Sequence, residues 1–250
     1  MKQNFHIIIP ARYQSTRLPG KLMMEVQGLT VLKRVYKQAL KANPKSIIIA
    51  TDHELIAQHA EDFGAQVKMT SPYHQTGTDR IAEVAADAQF SKEEIIVNVQ
   101  GDEPFISPKL IQQVANSLAG SDTAMASLCW PIETPEQLLN PNVVKVVRDY
   151  ENNALYFSRS AIPFNRDCPN DSSHVFRHIG LYAYRVGFLL DFVKWPACDL
   201  EKVEALEQLR ALWKGYKIRV ETAVEQPLQD INTEEDLALA NRLASEYFMD

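Results

Sequence analysis

The chain has 250 residues, 46% of them hydrophobic and 23% charged, with a formal net charge of −6 at pH 7. That length and apolar content support one large domain or two small ones around a real core, and the acidic balance excludes a general nucleic-acid binder, which needs a basic face. No apolar run approaches the length of a membrane span, the N-terminus lacks a signal-peptide layout, and Cys129, Cys168 and Cys198 are odd in number and without metal spacing, which reads as free thiols in a reducing cytoplasm.

Residues 5–9 form a short apolar run that reads as a buried strand. The next twelve residues, from Pro10 to Lys21, change character at once. Arg12, Arg17 and Lys21 bring three cations, Ser15 and Thr16 two hydroxyls, and Gly20 a sterically free backbone. A loop leaving the carboxyl end of the first strand is where open α/β sheets place ligands. With no acidic residue inside the segment, the cluster suits a polyanion such as a triphosphate; taken alone, the segment fits a solvated basic turn better. It is not a Walker loop, because Ser15 stands where the first glycine belongs and Leu22 follows Lys21 where a magnesium-binding hydroxyl is needed.

Apolar spacing predicts a helix over 31–40, a buried strand over 46–51, an amphipathic helix over 54–63 closed by Gly64, a strand over 66–70, a helix over 79–88 and a very apolar strand over 94–99. This alternation of buried strands with helices means a parallel sheet covered on both faces, a doubly wound α/β fold. Beyond it the pattern predicts a helix over 108–118, strands over 123–129, 143–149, 154–159, 175–184 and 217–222, helices over 186–193 and 201–213, and a closing helix from about 233. Residues 162–173 read as a loop or arm. We expect a single unit over residues 1–250 with an inserted region at about 130–185.

The strand at 94–99 runs into Gln100, Gly101, Asp102, Glu103 and Pro104. An acidic pair at the mouth of a central strand suits magnesium, a hard cation that prefers carboxylate oxygens, and Gly101 would let a ligand approach the backbone. The same residues also fit a strand-ending turn closed by Gly and Pro. The cation loop and the acidic mouth complement each other: one neutralises a polyphosphate, the other supplies its metal.

Residues 10–21 together with 98–104 resemble the 3-deoxy-manno-octulosonate cytidylyltransferases, or CMP-Kdo synthetases. The resemblance continues through Ala50-Thr51-Asp52, residues 74–80 (His74 to Arg80), 155–159 (Leu155 to Arg159), 177–182 (Arg177 to Tyr182) and 206–210 (Leu206 to Arg210), in order and over nearly the whole length. It implies an α/β, doubly wound, mostly parallel sheet of the nucleotide-diphospho-sugar transferase type, with a small inserted subdomain or dimerisation arm. It also implies a reaction of lipopolysaccharide biosynthesis: CTP plus the sugar acid Kdo gives CMP-Kdo and diphosphate, with magnesium as cofactor, in a cytoplasmic homodimer. By the same resemblance Arg12, Lys21 and Asp102 are catalytic; Arg12, Ser15, Arg17, Lys21, Arg80 and Gln100 bind nucleotide; Gln100, Arg159, Arg166, His178, Tyr182, Glu207 and Gln208 line the sugar. Asp102 holds the metal.

Three positions depart from the family pattern. Leu22 stands where a proline is usual, and Thr76 keeps the hydroxyl of a common serine. Asn232 occupies the place of an aspartate, the second metal ligand, so that Asp230, two residues earlier, is expected to share or replace that role. An 8-amino analogue of Kdo or another ulosonic acid is an alternative substrate, and a nucleotide-binding protein without catalysis an alternative function.

Overall fold

The computed structural model describes residues 4–13, 18–168, 171–228 and 230–247. In chain order the elements begin with β1 (His6–Ala11), a 3-10 turn (Lys21–Met23), the hairpin β2 (Glu25–Val26) and β3 (Leu29–Thr30), α1 (Val31–Lys41), β4 (Ser46–Thr51), α2 (Glu54–Asp62), β5 (Gln66–Met69), α3 (Gly77–Asp87) and β6 (Ile95–Asn98). They continue with α4 (Pro108–Ala119), β7 (Met125–Pro131), α5 (Pro135–Leu139), β8 (Lys145–Arg148), β9 (Ala154–Ser158), β10 (Phe176–Arg185) and α6 (Val186–Phe192). The chain closes with α7 (Asp199–Glu204), α8 (Leu209–Trp213), β11 (Ile218–Thr222) and α9 (Glu234–Tyr247).

The main sheet runs β11-β7-β10-β6-β1-β4-β5. β1 pairs in parallel with β4 and β6, β4 with β5, and β7 with β11, while β10 lies antiparallel between β6 and β7. The sheet is therefore mostly parallel, with one reversed strand near its centre. β8 and β9 lie off this path as an antiparallel pair that joins the outer end of β10.

Successive residues of a strand point to opposite faces, and here both faces are packed. Ile7, Ile9, Ile47, Ile49 and Val97 meet Val31, Leu32 and Val35 of α1, Ile56 of α2 and Ile111 of α4 in one core. Ile8, Ile48 and Ile96 meet Ile81 and Val84 of α3, Leu189 of α6 and Leu209 of α8 in the other. That is why 46–51 and 94–99 read as continuous apolar runs, and each isoleucine so buried contributes about 1.5–3 kcal/mol.

Three elements differ from the sequence expectations. The helix expected over 201–213 is two, because Ala205 turns left-handed (φ 49); Arg210 then closes a two-pronged ion pair on Glu201 and folds α8 back against α7. The β2–β3 hairpin turns through Gln27 and Gly28, both with positive φ, the backbone a tight two-residue hairpin loop requires. α5 is set by Thr134, whose hydroxyl caps Gln137 N–H ahead of Pro135 at the first helical position. The three cysteines are free thiols, and no helix among the described residues is long and apolar enough to cross a membrane.

Gly101 has a packing reason of its own. A Cβ there would lie 3.0 Å from the Pro10 carbonyl oxygen and 3.4 Å from Leu22, so the loop after β6 seats against the loop after β1 only because this side chain is missing. Leu22, the residue standing in place of the usual proline, is thereby buried. Gly101→Ala should lower stability by about 1–3 kcal/mol through this overpacking, measured as a shift in the urea unfolding midpoint.

Candidate functional site

At the carboxyl ends of β1 and β6 the cation loop and the acidic mouth meet. The Lys21 ammonium contacts Asp102 Oδ2 and donates to the Ile231 carbonyl at 2.9 Å and to Asn232 Oδ1 at 3.2 Å. Ile231 N–H in turn donates to the Asp102 carbonyl at 3.0 Å, which holds the 230–232 segment against the mouth of β6. Lys21 is thus not a cation without an acidic partner, as the loop taken alone suggests; its partner lies 81 residues along the chain. All three groups around the ammonium are oxygen donors, the set a magnesium ion takes. Among the described residues no three His, Cys, Asp or Glu side chains gather as a metal cage. One carboxylate and one amide oxygen leave further positions to water and phosphate, which suits magnesium.

Asp230 does not face the ammonium. It accepts from Asn232 Nδ2, so it orients that amide with its oxygen toward Lys21. Asp236 holds the same turn, accepting from Asn232 N–H at 3.0 Å and Thr233 N–H at 2.9 Å. Burial, and then the nearby charges of Asp102 and Asp230, push the Glu103 carboxyl up to about 8.

Arg12 leaves β1 on the adjoining side. Its Nη2 donates to the His74 carbonyl at 2.8 Å, while its buried Nε has no hydrogen-bond partner. Burial, and then the like charge of Arg80, lowers its pKa, against the attraction of Asp52 and Asp79. Arg80 itself is completely buried: it pairs with Asp52 at 2.6 Å and bonds Thr70 Oγ1. It therefore presents no open surface for the expected nucleotide contact. Gln100 lies two residues beyond the end of β6 and is half-buried.

The third wall is made by β10. Asn98, at the end of β6, registers against Ile8 of β1 and Tyr182 of β10, which places β10 against the mouth of the parallel strands. A bulge between Ile179 and Tyr182 opens this strand, and the fully buried Ser127 hydroxyl fills it, within 3.0 Å of the carbonyls of Ile179 and Leu181 and of His178 Nε2. His178 packs between Phe157 and Tyr182, ring centroids 5.0 and 5.2 Å away, and this enclosure lowers its pKa to about 3. Burial, with Tyr184 and Glu207 beside it, raises Tyr182 well above the ordinary tyrosine value. Glu207 is also raised by burial, and its Oε2 accepts from Thr78 Oγ1 at 2.6 Å at the start of α3. His178, Tyr182 and Glu207 therefore form a wall of hydrogen-bonding groups around aromatic rings, and Gln208, next to Glu207 in the chain, is buried.

Two expected sugar contacts lie elsewhere. All three terminal groups of Arg159 are committed to carbonyls, Nε to Glu204 at 2.6 Å, Nη1 to Pro141 at 2.9 Å and Nη2 to Ala205 at 3.2 Å, so this guanidinium staples β9 to the end of α7. Arg166 stands exposed with its neighbour Asp167 as ion-pair partner. Ser15 and Arg17 lie outside the described residues. Ser127 and Tyr184 escaped sequence reasoning, since a serine and a tyrosine inside apolar strands carry no local signal.

A family profile described as Cytidylyltransferase matches residues 6–218. A 3-deoxy-manno-octulosonate cytidylyltransferase of Legionella pneumophila (strain Philadelphia 1) is 64% identical over 250 residues, covering 100% of this chain and 98% of the relative. The Pasteurella multocida protein of the same name is 49% identical, covering 94% and 96%. A solved CMP:2-keto-3-deoxy-manno-octonic acid synthetase complexed with CTP superposes with a TM-score of 0.90 at 34% identity, over 97% of this chain and 99% of that one. A Leptospira borgpetersenii cytidylyltransferase, 17% identical with a TM-score of 0.64 over 99% of this chain and 88% of that one, shares the fold.

His178 gives a pH test of this wall. Its folded pKa lies below the ordinary 6.5, so the unfolded chain takes up a proton that the folded protein refuses as pH falls from 6.5 toward 3, and stability declines across that window. The contribution reaches about 1.4 kcal/mol per pH unit. Unfolding free energies from pH 4 to 7 should fall less steeply for His178→Gln than for the parent.

Proposed function

The chain belongs to the family of 3-deoxy-manno-octulosonate cytidylyltransferases, and we infer that it joins CTP to 3-deoxy-manno-octulosonate, giving CMP-Kdo and diphosphate for lipopolysaccharide biosynthesis. One observation carries the mechanism. The Lys21 ammonium, Asp102 and Asn232 meet at the mouth of β6, while Arg12, with an unpartnered Nε, lies on the loop side of the same sheet edge.

The anomeric hydroxyl of the sugar attacks the α-phosphorus in line and diphosphate departs. Arg12 offers fixed positive charge to the triphosphate, where charge grows as the bond to diphosphate breaks, and a pre-oriented donor of this kind needs no reorganisation in the transition state; Lys21 adds its charge once its ammonium turns from Asp102 and Asn232, the oxygens that would hold magnesium. Gln100 stands between nucleotide and sugar. His178, Tyr182 and Glu207 orient the sugar's hydroxyls, Glu207 accepting and neutral His178 donating or accepting as its tautomer allows. Orientation of this kind makes the attack effectively unimolecular.

Asp102 and Asn232 would hold magnesium, with Asp230 setting the amide of Asn232. The ion, when bound, neutralises charge on the leaving diphosphate. We assign the region at about 130–185 to sugar binding and to contact with a second copy in a cytoplasmic homodimer. Its support is that Leu155 of β9, Phe164 and Leu139 stand exposed there.

Diphosphate release on mixing the protein with CTP, magnesium and Kdo tests the activity, and omission of the sugar should abolish it. Asp102→Asn and Lys21→Met should each lower kcat by about 10²–10³-fold, measured at a temperature where circular dichroism finds both variants folded. Sedimentation velocity should find a dimer that Leu155→Glu converts to monomer.

A further inference from the structure

We propose that Glu83 is a positioning residue for Arg12, acting through His74. The proposal rests on the reading that Arg12 holds the triphosphate. Glu83 belongs to α3 and touches neither Arg12 nor any other residue assigned above to substrate. Its Oε2 takes the Ser71 N–H at 2.9 Å and meets His74 Nε2. The carbonyl of that same His74 receives Arg12 Nη2 at 2.8 Å. A helix carboxylate thus grips both the start and the middle of the 71–76 loop, and the loop's main chain grips the guanidinium.

Arg12 needs such a grip. Arg80 is a like charge beside it, and Arg12's own Nε is buried without a hydrogen bond, so the side chain is not locked by bonds on every side. The loop's other end is fixed independently. Thr76 and Asp79 exchange side-chain and main-chain hydrogen bonds at the start of α3. Gly77 packs on Pro10, where a Cβ would come within 3.5 Å of the proline ring. The stretch carrying the His74 carbonyl lies between β5 and α3, outside regular secondary structure, and Glu83 anchors it. A half-exposed His–Glu pair contributes little to overall stability, whereas a misplaced phosphate ligand costs binding directly.

The test is CTP affinity by titration calorimetry without sugar, with steady-state kinetics beside it. Glu83→Ala should weaken CTP binding about 10-fold, within the range of coupling between residues of one network, raise KM for CTP and lower kcat with it, because Arg12 also faces the charge that grows in the transition state, while KM for the sugar acid stays within 2-fold of the parent. His74→Ala retains the carbonyl that Arg12 uses and loses the anchor, so it should reproduce that loss. Glu83→Gln, which keeps an acceptor for Ser71 N–H, should restore most of it. In an Arg12→Ala background Glu83→Ala should add less than 2-fold. Unchanged CTP affinity in both alanine variants, or a full 10-fold added loss in the Arg12→Ala background, overturns the proposal. If Arg12→Ala itself leaves CTP affinity unchanged, the triphosphate assignment falls and this proposal with it.

Discussion

The ammonium of Lys21 is the point on which the site depends. It is shared among a carboxylate at the end of β6, a carbonyl and an amide oxygen from the segment before α9. Asp102, Glu103 and Asp230 lie near that mouth, and burial, with the charges of the other two, raises Glu103 to about 8. A single cation with three donors satisfies oxygens from both segments, and so it joins the loop after β1 to a stretch of chain some 210 residues away. A buried pair of this kind adds little net stability. What it supplies is position: the oxygens that would hold magnesium face one point.

From that point the site divides by charge. Toward β4 and β5 lie the guanidinium groups, Arg12 half-open and Arg80 sealed between Asp52 and Thr70. Toward β10 lie His178, Tyr182 and Glu207, whose pKa values all move in the direction that burial favours, toward the uncharged form. A triphosphate and a polyhydroxy acid make different demands, fixed positive charge for one and directional hydrogen bonds for the other. The reversed strand β10 supplies the second wall because its bulge, filled by Ser127, presents His178 and Tyr182 together.

Much of this was legible in the chain. The parallel strands, read as unbroken apolar runs, fall where expected because burial on both faces leaves no alternation. The order of motifs placed Arg12, Lys21 and Asp102 at strand ends, and in an open α/β sheet those ends share one edge. Asn232 stood out as an amide in a carboxylate's place, and Asp230 as its neighbour. The Thr134-Pro135 start of α5 was also readable, as a cap followed by proline at the first helical position, but five residues are too few for a periodic signal.

What the sequence by itself determined is therefore the architecture and the location of the chemistry, since strand burial, turn residues and loop charge are local properties. Tertiary structure alone decided which charges are available. The chain does not show that Arg159 donates to three carbonyls, that Asp52 and Thr70 enclose Arg80, or that Pro10 and Leu22 close on Gly101. The same holds for Asp230, whose carboxylate turns to Asn232 rather than to the cation. In each case the deciding partner comes from another segment of the fold or from the exact turn of the backbone. No residue pattern along the chain records which hydrogen bonds those meetings will use up.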